Sequence, residues 1–338
     1  MAHSLRRTLA ATLVTAAAAA APLAAQGAPA APTVTVGGVV YTQFAGQLDS
    51  LNSSNFDVTR AYVNVIGRFS GGFMTRVTAD VSHGTGTDGS DAYRLKYAFV
   101  NWTPEGSALT YRFGLITTPF IDWEEQLWDY RMQGSVAVDR NSFMTSSDFG
   151  AGIDGNISKE MLDFQASVVN GTGYGATPGD MHKMYAARVS VRLLESDDAS
   201  RVGGLRLTGY AQGGNRLKGG TATRFIGEAS YRSKNILLAG EYVATNDSAV
   251  GAAHVKGKVI SVYGWFGIPN TPVRIVARYD NLDPNTSAAN DQQTRIIGGL
   301  SYQLSSNVRA MADVDHLSFE NSARAKITTA LFQLQFTF

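Results

Sequence analysis

Two clusters in this 338-residue sequence hold residue types that could do hydrolytic chemistry: Asp80 with Ser82 and His83, and Asp315 with His316 and Ser318. Nucleophilic catalysis needs a hydroxyl, a base and an acid converging on one face. In an extended chain Asp80 and His83 have opposite parity and point to opposite faces, so a hydrolase is the weaker reading. Metal chemistry has little support either. His83, His182, His254 and His316 lack a second histidine at ligand spacing, and the chain has no cysteine, which also excludes a disulfide framework. The run Gly150-Ala151-Gly152-Ile153-Asp154-Gly155 fits G-x-G-x-x-G, but that fingerprint needs a helix after it. Here Phe149, Ala151, Ile153, Gly155 and Ile157 continue a single strand alternation. No catalytic residue, metal or cofactor is expected.

What remains is charge. The totals nearly cancel, 29 basic against 28 acidic side chains, which argues against a general electrostatic grip on nucleic acid. Only their placement is informative. The densest placement is the 31-residue connection from Thr117 to Ser147, where Asp122, Glu124, Glu125, Asp129 and Asp139 accompany Arg131 and Arg140. Phe120, Trp123, Leu127 and Tyr130 have helical spacing there, which predicts a short amphipathic helix with Asp122, Glu125 and Asp129 on another face. Connections this long are usually functional or disordered; the two readings here are a surface loop with a helical turn and a loop folded into a lumen, its aromatic face against the wall and its acids toward water.

The elements that must hold these charges are strands. From Val34 onward the period is two: Phe73, Thr75, Val77, Ala79 and Val81 share one face, and Met74, Arg76, Thr78, Asp80 and Ser82 the other. Sixteen such segments are expected near 34 to 48, 56 to 69, 72 to 83, 91 to 103, 108 to 116, 148 to 158, 162 to 170, 183 to 193, 203 to 213, 222 to 232, 235 to 245, 256 to 266, 272 to 281, 292 to 303, 307 to 318 and 326 to 338. Long polar loops (Asp49 to Asn55, Gly84 to Ser90, Gly171 to His182) alternate with tight turns (Ser70-Gly71, Ser233-Lys234, Ser305-Ser306), and one turn, Leu194 to Val202, is longer than the pattern wants.

An even number of strands with short turns at one rim and long loops at the other fits an all-β, transmembrane, antiparallel β-barrel, its third long connection folded inward. A soluble sandwich would have to bury sixteen apolar faces in one stack and protect its edges. Tyr93, Tyr185, Tyr231, Tyr279 and Tyr302 lie near segment ends on the apolar parity, as aromatic girdles require, whereas Tyr97 and Tyr111 in mid-strand read as ordinary strand packing. Ahead of the strands, Arg6 and Arg7 precede an alanine-rich run and Pro22-Leu23-Ala24-Ala25. This reads as a signal peptide over 1–25, cleaved on export, followed by a short linker over 26–33 and the barrel over 34–338.

The chain closes on Gln333-Leu334-Gln335-Phe336-Thr337-Phe338, which resembles the terminal assembly signal of Gram-negative outer-membrane barrels and assigns that role to Phe336 and Phe338. Phe56 to Gly67, Arg112 to Phe120 and His182 to Val189 resemble, in order, strands of the phosphate-selective porin O and P family. The resemblance implies a sixteen-stranded diffusion pore, commonly a homotrimer, in contact with outer-membrane lipid, lipopolysaccharide and the barrel-assembly machinery. The chain departs from the family in having Arg60 alone where a doubled arginine is usual, and no lysine between Thr117 and Ser147.

The polar parity would then line a lumen with fifteen basic residues: Arg60, Arg68, Arg76, Arg94, Lys96, Arg112, Arg188, Arg192, Arg206, Arg224, Arg232, Arg274, Arg278, Arg295 and Arg309. Eight acids share it: Asp80, Asp154, Asp163, Glu228, Glu241, Asp280, Asp313 and Asp315. Acids on the inward loop (Asp122, Glu124, Glu125, Asp129), with Arg131, would face this wall across a narrow aqueous gap. The expected function is passive diffusion of small hydrophilic solutes and ions with a weak preference for anions, phosphate among the candidates. The alternatives are a structural or adhesive barrel and an outer-membrane hydrolase.

Overall fold

The computed structural model describes residues 31–338 apart from 50–52, 84–87, 159, 177–180 and 216–219. The signal peptide expected over 1–25 and most of the linker lie outside the described residues. Sixteen strands form: β1 (Thr33–Gln47), β2 (Ser54–Phe69), β3 (Phe73–Ser82), β4 (Ala92–Trp102), β5 (Leu109–Thr117), β6 (Ser147–Ile157), β7 (Leu162–Val169) and β8 (Met184–Leu194). They continue with β9 (Gly204–Asn215), β10 (Thr221–Arg232), β11 (Ile236–Ser248), β12 (Val255–Gly267), β13 (Val273–Asp283), β14 (Gln293–Gln303), β15 (Val308–Phe319) and β16 (Ile327–Thr337). Each pairs antiparallel with its sequence neighbours, and β1 pairs with β16 to close the barrel. Closure leaves no unpaired sheet edge, the condition for a β-structure in lipid.

The two faces are chemically inverted relative to a soluble protein. Val189, Leu207, Phe225, Tyr242, Ile275 and Ile296 are exposed on the outside, while Arg188, Arg206, Arg224, Glu228, Glu241 and Arg278 are buried inside. Alternation alone left open which face was the core; closure and burial put the charges within. Tyr93, Tyr185, Tyr231, Tyr279 and Tyr302 are all exposed on the outer surface. The G-x-G-x-x-G run lies wholly within β6, with no helix after it.

Three β-bulges among the described residues shift the alternation. In β4, Thr78 pairs with Tyr97 and Ala79 with Leu95, so Lys96 is the extra residue. The consequence bears on Tyr97, which shares its parity along the chain with the outward Tyr93: Arg94 and Lys96 point inward before the bulge, and Tyr97, Phe99 and Asn101 point inward after it, all three buried. Tyr111 does pack outside, its ring 5.7 Å from Trp102. The second falls in β2, where Tyr41 pairs with Arg60 and Thr42 with Val58, so Thr59 is the extra residue; the third falls in β8, where Arg192 pairs with Arg206 and Leu194 with Leu205, so Leu193 is the extra residue.

The C-terminus completes the closing pair. The N–H of Gly38 donates to the Phe338 carbonyl at 2.9 Å, and the N–H of Phe338 donates to the Gly38 carbonyl at 3.1 Å. Phe336 and Phe338 stack outside at 6.1 Å. A side chain at Gly38 would lie 2.5 Å from the Phe338 ring, so the closing seam needs glycine there.

Candidate functional site

The connection between β5 and β6 carries two short helices, α1 (Pro119–Leu127) and α2 (Ala137–Arg140). Pro119 suits a first helical position, and Asp122 complements the positive end of the helix. At the other end Arg232 donates to the carbonyls of Gln126 and Leu127, a cation where the helix is negative. The helix stops at Leu127, three residues short of Tyr130, so the expected helical stripe runs only through Phe120, Trp123 and Leu127. Tyr130 is buried nonetheless.

The connection is tied to inward-pointing residues of many strands. The Trp123 indole N–H donates to Glu228 Oε1 of β10 at 3.0 Å. The Tyr130 hydroxyl bonds Ser301 of β14 at 2.6 Å, and Gln133 donates to Asp313 and Asp315 of β15 at 3.4 and 3.3 Å. Gln333 of β16 donates to the Met132 carbonyl at 2.7 Å, and Arg188 of β8 to the Pro119 carbonyl at 3.1 Å. Trp128 meets Tyr263 of β12 edge-on, centroids 5.5 Å apart.

The loop acids do not share one water-facing side, which corrects the expectation of an acidic face set against the wall across a gap. Glu124 is fully buried against the wall, 4.0 Å from Arg278 and beside Glu228 and Glu241. Burial first, then Glu241, holds its carboxyl well above the usual range. No donor reaches either oxygen of Glu124 or of Glu241, so the two can bond to each other only if one carries a proton. Asp129 lies beyond the helix and touches three wall arginines, Arg232, Arg274 and Arg309, at 3.7, 3.5 and 3.9 Å. Asp122 meets Arg201 at 3.5 Å. Glu125 pairs with Arg131 at 2.7 Å, and Arg131 also reaches Asp139 at 3.5 Å.

Most wall cations have partners as well. Arg112 pairs with Asp154, Arg188 with Asp163, Arg278 with Asp280 at 2.9 Å, Arg295 with Asp315 at 2.6 Å, and Arg94 with Asp80 at 3.9 Å. Arg206 donates to the carbonyls of Gly203 and Glu160 at 3.1 and 2.8 Å. Arg68 is exposed at the short-turn end of β2. Among the described residues, Arg60, Arg76 and Lys96 have no carboxylate within 4 Å. They are held instead by neutral groups. Arg60 bonds the Tyr62 hydroxyl and lies 4.5 Å from that ring; Arg76 bonds Asn64 and Thr78 and lies 4.6 Å from the Tyr97 ring; Lys96 bonds Ser146 and lies 4.2 Å from Tyr174. The charged groups around Lys96 are Arg60 on the wall and Glu125, Asp139 and Arg131 on the connection.

Three participants were not foreseen. Arg201 belongs to the overlong turn 195–203, yet it donates to Asp163 at 2.8 and 2.9 Å, reaches Asp122, and lies 5.4 Å from the Trp123 ring. Tyr174 enters from the long loop after β7, and Tyr97 through the bulge. The length of turn 195–203 was the one available signal. Among the described residues no group of three or more His, Cys, Asp or Glu is arranged to hold a metal ion.

This architecture is shared with known barrels. An anion-selective porin from Comamonas acidovorans superposes with a TM-score of 0.69 at 12% identity, over 91% of this chain and 100% of that one. OmpT, an outer membrane protein of Vibrio cholerae in its trimer form, gives 0.68 at 12% identity over 91% and 100%. A Salmonella typhi OmpF complex with daunomycin gives 0.66 at 13% identity over 90% and 97%. The likeness is one of fold alone. No protein-family model, that of the phosphate-selective porins included, and no curated sequence matches the chain.

Proposed function

We propose that this protein is an outer-membrane porin: a water-filled channel for passive diffusion of small hydrophilic solutes and ions, with a weak preference for anions. In this reading the 118–146 connection lies inside the barrel and forms the constriction. One observation carries it. The connection is bonded to inward-pointing residues of β8, β10, β14, β15 and β16, while Arg60 of β2, Arg76 of β3 and Lys96 of β4 have no carboxylate within 4 Å among the described residues. The open passage then runs between the connection and the β1 to β4 wall. Cations with no carboxylate within 4 Å among the described residues, in a narrow, low-dielectric passage, raise local anion concentration.

Phosphate would pass as one such anion, without a dedicated site, since no lysine cluster lines the connection. The reading includes export with removal of residues 1–25, insertion assisted by the barrel-assembly machinery through Phe336 and Phe338, contact with lipid and lipopolysaccharide on the outer wall, and a homotrimer. It includes no catalysis. The test is purified protein in planar bilayers. Discrete conductance steps are expected, with a reversal potential across a KCl gradient of the sign set by chloride; no steps would refute the channel, and the opposite sign would refute the anion preference.

A further inference from the structure

The basic wall has a second property, which rests on the channel reading. Three of its cations that have no carboxylate within 4 Å among the described residues lie against aromatic rings: Arg60 4.5 Å from Tyr62, Arg76 4.6 Å from Tyr97, and Lys96 4.2 Å from Tyr174. The rings come from three separate sources. Tyr62 is two residues from Arg60 on β2, Tyr97 is turned inward by the β4 bulge, and Tyr174 arrives from a long loop. A guanidinium has five N–H donors. Arg60 uses a donor on Tyr62, and Arg76 uses donors on Thr78 and Asn64, which leaves donors on each uncommitted among the described residues.

We propose that this wall is a binding site for aromatic monocarboxylates, in which the carboxylate takes the uncommitted donors of Arg60 and Arg76 and the solute's ring packs beside the partly exposed rings of Tyr62 and Tyr174, with the buried Tyr97 backing Arg76. A wall built only to attract anions needs charge alone. Here each cation is paired with a flat apolar surface about two residues of strand rise, roughly 7 Å, away or closer. A solute with a planar carboxylate joined to a planar ring meets both parts at once, since the weakly hydrated guanidinium accepts bidentate carboxylates at its edge and rings at its face. Chloride, acetate and inorganic phosphate can use only the charge. The proton balance is unchanged, because the solute binds as its anion.

The experiment is block of single-channel chloride current by benzoate, acetate or inorganic phosphate added to the native, full-length protein. Benzoate is expected to half-block at a concentration about five-fold or more below that of acetate, the scale of a ring contact added to a shared ion pair. The double variant Tyr62→Leu/Tyr174→Leu is expected to bring benzoate and acetate to the same half-blocking concentration, whereas Tyr174→Phe, which keeps the ring, retains the preference. Tyr302→Leu on the outer surface retains it as well. A gel shift on heating checks that each variant is folded. Equal block by benzoate and acetate in the native channel, stronger block by phosphate than by benzoate, or a preference that survives loss of both rings would overturn the site while leaving the channel in place. Absence of chloride current in the native protein would overturn the channel reading itself, and the site with it.

Discussion

Trp123→Ala isolates the connection from the barrel that holds it. Trp123 is fully buried, hydrogen-bonded to Glu228, with Arg188 4.3 Å from its ring and Arg201 and Arg206 each at 5.4 Å. Truncating a buried tryptophan to alanine costs about 3–5 kcal/mol, and leaving Glu228 short of a donor adds about 1–3 kcal/mol. None of the strand pairings that close the barrel involves this side chain, so the loss falls on the docking of the connection against β8 and β10. Even 3 kcal/mol lowers the ratio of docked to undocked forms about a hundredfold. The expected result is a larger and noisier single-channel conductance, with new protease cleavage inside 118–146 and an unchanged gel shift on heating. Trp123→Phe keeps a ring near Arg188 and loses only the donor, so it should fall between. If Trp123→Ala left both conductance and protease pattern as in the native protein, the connection would not be the constriction and the docking argument would fail.

Three further outcomes are expected. Asp129→Asn removes the one carboxylate that Arg232, Arg274 and Arg309 share; the reversal potential in a KCl gradient should move toward chloride, and a move toward potassium would contradict the assignment. Docking should weaken as pH rises, because the Glu124 carboxyl is held above its ordinary value by burial and by Glu241. Its stabilising contribution is complete below the unfolded carboxyl range near pH 4.3 and is lost as pH climbs through the raised value. Protease sensitivity of 118–146 should therefore increase in alkaline buffer, and Glu124→Gln, neutral at every pH, should remove most of that increase. Gly38→Val, which would press on the Phe338 ring, and deletion of Phe338 should both lower the folded amount recovered from membranes; normal yield from either variant would remove the seam from the assembly argument.

The strand plan was legible because it rests on a local property. A two-residue period, punctuated by turns, places apolar side chains on one face and arginines on the other whatever the partners are, and the sixteen expected segments end within three residues of the observed strands. The same local argument put Arg76, Arg188, Arg206 and Arg278 together on the inner face. It failed first at Tyr97, because a single unpaired residue in β4 reverses every side chain after it, and nothing in the alternation of Arg94, Lys96 and Tyr97 marks where that residue falls. It failed again for the acids. Helical spacing grouped Asp122, Glu125 and Asp129, but their partners, Arg201, Arg131 and the trio Arg232, Arg274 and Arg309, lie on a distant turn, within the connection and on three separate strands. Which charge neutralises which is decided across the interior of a closed barrel, between residues up to 180 positions apart. A period read along the chain has no access to that dimension, so the sequence determined the wall and its sign, and the tertiary structure decided which of its cations, among the described residues, lie with no acid within 4 Å.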